Sequence, residues 1–300
     1  MSRGFRFYAA STLVFLIGVI LWGAYVRATG AGAGCGAHWP VCNGTVIPRD
    51  PSTKTLIEYT HRLSSGLSLL LVVGLFAWAV RAVPRGHTVR RAAGATLVLM
   101  LVEAALGAGL VLLELVALDA SVRRAVAMSL HLINTFFLLA ALGTCVWHAF
   151  AGPARARLRG AAPVLLAVSG FMLVGVSGAI AALGDTLSQH GVDNAFVQLL
   201  IGLRVAHPII ALAESLLLGS VALALWTRRP DARGPVAWLA GLFFVQLVLG
   251  AMNVALLAPV WMQLVHLLVA DCTWLALVVV SRVALTGPET TAAVAEPAPA

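Results

Sequence analysis

The sequence predicts an all-α integral membrane protein, with eight transmembrane helices forming two pseudo-symmetric four-helix bundles related by a parallel internal repeat. Three observations carry this expectation. The 300-residue chain is 60% hydrophobic and 11% charged, whereas soluble domains carry about 25% charged residues. It holds eight apolar stretches, each long enough to cross about 30 Å of hydrocarbon. Sequence features of the first four stretches recur, in the same order, in the last four.

The spans are expected near 9–27, 58–80, 93–113, 126–148, 162–184, 198–226, 235–257 and 261–283. The first follows Arg3 and Arg6 as a signal peptide would, but the run from Ala9 to Val26 exceeds a usual signal-peptide core. Cleavage there would also leave an odd number of spans, so it is read as an uncleaved helix. The fourth span begins soon after Arg123 and Arg124, and the turn at Ala258-Pro259 separates the seventh from the eighth. Residues 1–150 form the N-terminal half and 151–286 the C-terminal half, with no soluble domain left over. The Pro-, Ala- and Thr-rich tail at 287–300 is expected to be disordered.

The formal net charge is +8, and the placement of the charges accounts for it without any nucleic-acid partner. With the N-terminus inside, thirteen of the twenty Lys and Arg fall on inner segments, among them Arg81, Arg85, Arg90, Arg91, Arg155, Arg157, Arg159, Arg228, Arg229 and Arg233. The outer segments hold most of the acids, including Asp50, Glu58, Glu114, Asp119, Asp185 and Asp193. This is the positive-inside pattern, and it places both termini on the cytoplasmic side.

Leu130-His131-Leu132-Ile133 corresponds to Val265-His266-Leu267-Leu268, and Glu58-Tyr59-Thr60-His61 to Arg204-Val205-Ala206-His207. Val102-Glu103 through Gly107-Ala108 matches Val245-Gln246 through Gly250-Ala251, while Gly23-Ala24 and Gly178-Ala179 form a weaker pair. Four spans per half give both halves one orientation, related by an axis along the membrane normal. An ionisable group inside a span is costly and usually functional. A single membrane histidine can be an interhelical hydrogen-bond partner. Four at duplicated positions and matched depth, His61 with His131 and His207 with His266, instead form two ligand pairs. Histidine is a common axial ligand of haem iron, and two antiparallel helices can clamp one macrocycle between them. His38, His87, His148 and His190 fall in loops or at helix ends and are read as solvated.

The halves differ in telling places. Three residues before the histidine, one half has Glu58 and the other Arg204, each on the histidine's face of its helix. A carboxylate there is suited to moving protons, or to an interfacial pair with Arg62. A guanidinium is suited to a bidentate contact with a propionate. Arg27 and Arg62 are further propionate candidates, or simply end their helices. Cys35 and Cys42 lie close enough for a small disulfide loop on an oxidising side, as a redox pair or as a staple. Cys145 and Cys272 read as buried apolar residues. Gly18, Gly23, Gly107 and Gly109 allow close helix contacts, within one chain or in a homo-oligomer.

Arg27-Ala-Thr-Gly-Ala-Gly, the Cys35…Trp39-Pro40-Val41-Cys42-Asn43-Gly44 loop and Ile57-Glu58-Tyr59-Thr60-His61-Arg62 together resemble the haem A synthase family. The resemblance covers all eight spans. It implies a bacterial cytoplasmic-membrane oxidoreductase that converts the C8 methyl of haem O to a formyl group. On it, His61 and His131 receive the substrate haem, His207 and His266 ligate the iron of a resident haem b, and Glu58 transfers protons. Cys35 and Cys42 match the family's first-loop pair, and the second pair found in some members is absent from this sequence. Haem O synthase and the cytochrome oxidase assembly machinery are the implied partners, together with an electron donor that the sequence does not name. Two other readings share the histidines: a quinol-linked di-haem b electron carrier, with haems at two depths, and a parallel-repeat transporter with histidine proton relays and broken helices at midplane. The spans show scattered glycines and no clear break.

Overall fold

The computed structural model describes residues 1–152 and 161–286. Arg155, Arg157 and Arg159, three of the inner charges, and the expected disordered tail at 287–300 lie outside the described residues. Among the described residues, eight candidate spans are long and apolar enough to cross a membrane, and no strand occurs beyond one isolated bridge, Cys42 to Thr45. The chain is an all-helical, multi-pass membrane protein.

Its helices are α1 (Arg3–Ala28), α2 (Thr53–Ala82), α3 (Thr88–Leu112), α4 (Val122–Ala151), α5 (Ala162–Gln189), α6 (Ala195–Leu203), α7 (Ala206–Arg228), α8 (Arg233–Ala255) and α9 (Val260–Leu285). Their starts carry side-chain acceptors for otherwise unpaired N–H groups. Ser2 accepts from Phe5 N–H, Ser52 from Thr55, Ser121 from Arg124 and Asn194 from Val197. Left-handed glycines follow α1, α4 and α5 at Gly30, Gly152 and Gly191.

The predicted sixth span is broken into α6 and α7 at Arg204-Val205. Pro208 supplies the reason: it has no N–H, and its ring crowds the carbonyl four residues back, which is that of Arg204. The backbone tightens there, with His207 N–H donating to Arg204 O (3.3 Å), and His207 falls in the first turn of α7. The expectation of unbroken spans is corrected at this position. The break lies toward the N-terminal end of the 195–228 segment, away from its middle.

In the first half α1 packs on α2, α2 on α3, α3 on α4, and α4 returns to α1. In the second half α5 packs on α7, α7 on α8, α8 on α9, and α9 returns to α5. Contacts of α4 with α9, α1 with α9 and α4 with α5 join them. Where α4, α5 and α9 meet, Trp274 is fully buried against Phe136 and Phe171 and donates its indole N–H to Phe136 O (2.8 Å). With lipid as the alternative surroundings, such packing and interhelical hydrogen bonds hold the helices together. At the end of the bundle that carries loop 29–52, Arg27 crosses from α1 to the second half. It donates to Ala182 O (2.8 Å) and Thr186 Oγ (2.9 Å) on α5 and to Gln263 Oε1 (2.9 Å) on α9.

Candidate haem sites

All four paired histidines lie toward the loop 29–52 end: His61 in α2, His131 in α4, His207 opening α7, and His266 in α9. Each is half-buried. Each also faces a glycine on a neighbouring helix. A Cβ on Gly23 would stand 2.9 Å from His61 Cε1, and one on Gly178 2.9 Å from His207 Cε1. For Gly107 and His131 the distance is 3.9 Å, and for Gly250 and His266 it is 3.4 Å. These are the glycines that the two sequence halves place at matching positions. Their lack of a side chain makes room for an imidazole beside the helix backbone.

The second pair is resolved in most detail. The rings of His207 and His266 have centroids 6.4 Å apart and are nearly perpendicular, at 84°. Two imidazoles on opposite sides of one ion, with metal–nitrogen bonds of about 2 Å and about 1 Å more from nitrogen to ring centre, place their centroids about 6 Å apart. The observed spacing fits that arrangement. His207 Nδ1 lies 3.1 Å from Val174 O and 3.1 Å from Ser177 Oγ. Donation to that carbonyl fixes the tautomer and leaves Nε2 free for a metal. His266 Nδ1 is buried without a partner, and its Nε2 lies 3.1 Å from Gln246 Nε2. A metal bound by protein ligands alone needs three or more of them, and no such group of His, Cys, Asp or Glu occurs among the described residues. Two imidazoles per site is the number wanted by an iron already held by a porphyrin.

At His61 and His131, the Nδ1 of each ring is buried without a hydrogen-bond partner. Glu58 is 3% exposed. Its Oε2 accepts the Cys35 backbone N–H (2.9 Å), and its Oε1 is paired with the Arg62 guanidinium. Arg62 also donates to His38 O (2.5 Å) and Val41 O (2.7 Å). Both carbonyls lie inside the loop that the Cys35–Cys42 disulfide closes. The loop is seated on the start of α2: Thr55 Oγ1 donates to Gly34 O (2.8 Å), and any Cβ on Gly34 would come within 2.5 Å of the Lys54 backbone. Glu58, Arg62 and the disulfide loop are thus one hydrogen-bonded unit beside His61.

Of the three propionate candidates, two have protein partners at both terminal nitrogens. Arg27 binds α5 and α9 through its two terminal nitrogens, and Arg62 binds Glu58 and the loop through all three guanidinium nitrogens. Arg204 is exposed, donates to Asp185 (2.6 Å), and retains one terminal nitrogen without a partner. Two expectations for the remaining histidines are revised. His148 is buried, with Nδ1 on Gly152 O (2.8 Å) and Nε2 near Arg282 (2.9 Å). His87 caps α3, accepting from Val89 N–H (3.2 Å). His190 is exposed, as expected, with Nδ1 at 2.8 Å from Thr186 O. The sequence reading gave no role to Glu103 or Gln246, although an acid in mid-span, aligned with an amide in the other half, was a visible signal.

Fold and site define a multi-pass helical membrane protein with four histidines toward one end, each facing a glycine on a neighbouring helix. The model of the family described as cytochrome oxidase assembly protein matches residues 6–278. A heme A synthase of Symbiobacterium thermophilum is 31% identical over 81% of this chain and 83% of its own length. One of Alkalihalophilus pseudofirmus is 38% identical over 37% of each chain. A Thermus thermophilus protein named protoheme IX farnesyltransferase is 46% identical over 93% of this chain, which spans 48% of that relative's length. The chain belongs to the haem A synthase family of cytochrome oxidase assembly proteins.

Proposed function

We propose that the protein is a haem A synthase of the bacterial cytoplasmic membrane, with both termini cytoplasmic. In this reading it oxidises the C8 methyl of haem O to a formyl group, with haem O bound between His61 and His131 as substrate. Haem b is held by His207 and His266, and when bound it supplies electron transfer. The observation that carries the reading is the difference between the two glycine-faced histidine pairs. A buried carboxylate, Glu58, stands three residues before His61, while the corresponding place before His207 has the exposed Arg204.

The protein's own residues have separable tasks. The glycines set the imidazoles against the helix backbones. Ser177 and the Val174 carbonyl orient His207. Glu58, held by Cys35 N–H and Arg62, is the group placed to exchange protons beside the first pair. Arg204 keeps a donor for a propionate of the second haem. The parallel repeat is supported by the same order of helix neighbours in each half and by the four matched glycine–histidine contacts. Haem O synthase is the natural supplier of the substrate. The likeness to a relative named for farnesyl transfer, of which this chain matches about half, agrees with such a pathway neighbour.

The test is expression with haem O synthase in haem-replete cells, followed by analysis of the extracted haems. Haem b together with haem O or haem A is expected. In Glu58→Ala, haem b is retained and haem A falls strongly. Two stoichiometric haems b with no O or A would overturn the reading in favour of an electron carrier. A colourless protein would overturn it in favour of a transporter. Normal haem A from Glu58→Ala would remove the proton-transfer role.

A further inference from the structure

Glu103 has no part in the function proposed above. It lies within α3 and reaches across to α4. Asn134 Nδ2 donates to its Oε2 (2.6 Å), and the Thr135 hydroxyl donates to its Oε1. Asn134 also donates to Leu99 O (3.0 Å), tying the two helices together at this level. Asn134 and Thr135 follow His131 by three and four residues, which places all three on one face of α4. The carboxylate they hold has Oε2 at 3.6 Å from His131 Nδ1, a buried nitrogen with no hydrogen-bond partner.

At the corresponding place in the other half stands an amide. Glu103 and Gln246 each precede by four residues the glycine that faces the histidine, Gly107 and Gly250. Gln246 approaches the other ring nitrogen of its histidine, with its side-chain nitrogen 3.1 Å from His266 Nε2, and leaves His266 Nδ1 without a partner. The two sites therefore differ in formal charge beside the histidine of the closing helix, as well as at Glu58 and Arg204.

We infer that Glu103 is a positioning residue for His131: it takes the Nδ1–H, directs Nε2 toward the iron, and makes that imidazole the stronger electron donor of the two closing-helix histidines. The inference rests on the reading of the four histidines as haem ligands. A ligating imidazole that donates its other N–H to a carboxylate becomes more basic, and hydrogen bonding around axial ligands is one of the means by which a protein tunes iron potentials. The carboxylate favours the oxidised iron at the first site, and a neutral amide does not do so at the second. The side chains themselves thus separate the potentials of the two sites.

The experiment is an anaerobic redox titration, followed by absorbance, of the haem-loaded full-length protein, Glu103→Gln and Glu103→Asp. Glu103→Gln is expected to shift the reduced-to-oxidised ratio of the first-site haem at least tenfold toward reduced at fixed poise, about 59 mV for one electron. The second-site haem should not move. Glu103→Asp, which keeps the charge but withdraws it from His131 Nδ1, should shift the first site the same way by less, and it keeps the inference testable if Glu103→Gln fails to fold. Haem-loaded variants with wild-type potentials at both sites would overturn the inference and leave the proposed function standing. A wild-type protein that binds no haem would overturn both.

Discussion

Replacing Gly23 or Gly178 by alanine tests whether the glycine–histidine contacts set the ligand geometry. A new Cβ at either position would stand 2.9 Å from an imidazole Cε1, about 0.5 Å inside the 3.4 Å at which ordinary contact begins. Carbon atoms attract best at about 3.5–4.0 Å, so the ring must turn or retreat by several tenths of an ångström. Any such motion carries the ligating nitrogen with it. Functional constellations tolerate displacements of about 0.5 Å, and disturbing the groups that orient a metal ligand typically costs about 10–100-fold in metal affinity. The same change raises helix propensity by about 0.8–1 kcal/mol, so weakening of the helix cannot be the cause of a lost haem. Gly18→Ala in α1 and Gly219→Ala in α7 meet nothing within 4 Å and serve as controls. Extracted haem per protein, with helicity from circular dichroism, is the assay. Gly178→Ala should lose haem b and Gly23→Ala the first-site haem, each by at least tenfold in retention, with helicity unchanged. Wild-type haem content and spectra in both variants would refute the reasoning.

Other consequences follow from the loop and the core. Cys35→Ser with Cys42→Ser removes the closure that presents the His38 and Val41 carbonyls to Arg62. A loss of about 2–3 kcal/mol and faster proteolytic cleavage of loop 29–52 are expected, with haem b retained at the distant second pair. Trp274→Ala empties the junction of α4, α5 and α9, and a destabilisation of about 3 kcal/mol should appear as a lower midpoint in detergent thermal unfolding. Trp274→Phe, which loses only the hydrogen bond to Phe136 O and the outer ring, should cost less.

Much of this molecule was legible in the order of its residues. Length, low charge and eight apolar runs dictate a bundle of spanning helices, because a backbone in lipid must satisfy its own polar groups. The histidines stood out because an ionisable side chain is expensive there. The repeat pointed to their pairing by matching Gly23 with Gly178 and Gly107 with Gly250, the residues that face them. Pro208 carried the signal for the break before His207, and its effect on the Arg204 carbonyl was overlooked beside a continuous apolar run.

Other features had no local signature. Arg27 and Arg62 look alike in sequence, each a cation near a helix end. Their acceptors lie 155 to 236 and 21 to 24 residues away for the contacts outside their own helices, so only tertiary packing shows that one joins the halves and the other clamps the disulfide loop. The contact of Glu58 with Cys35 N–H likewise depends on the loop being seated where Gly34 meets Lys54. Glu103 was visible as a costly acid, but its place beside His131 required α3 and α4 to be packed in register. Composition and periodicity report what each segment must do with its own backbone and apolar surface, and this is enough to determine the helices and the costly groups within them. Which polar groups satisfy one another across helices is decided only when the helices meet, because such bonds depend on distance in space and not in sequence.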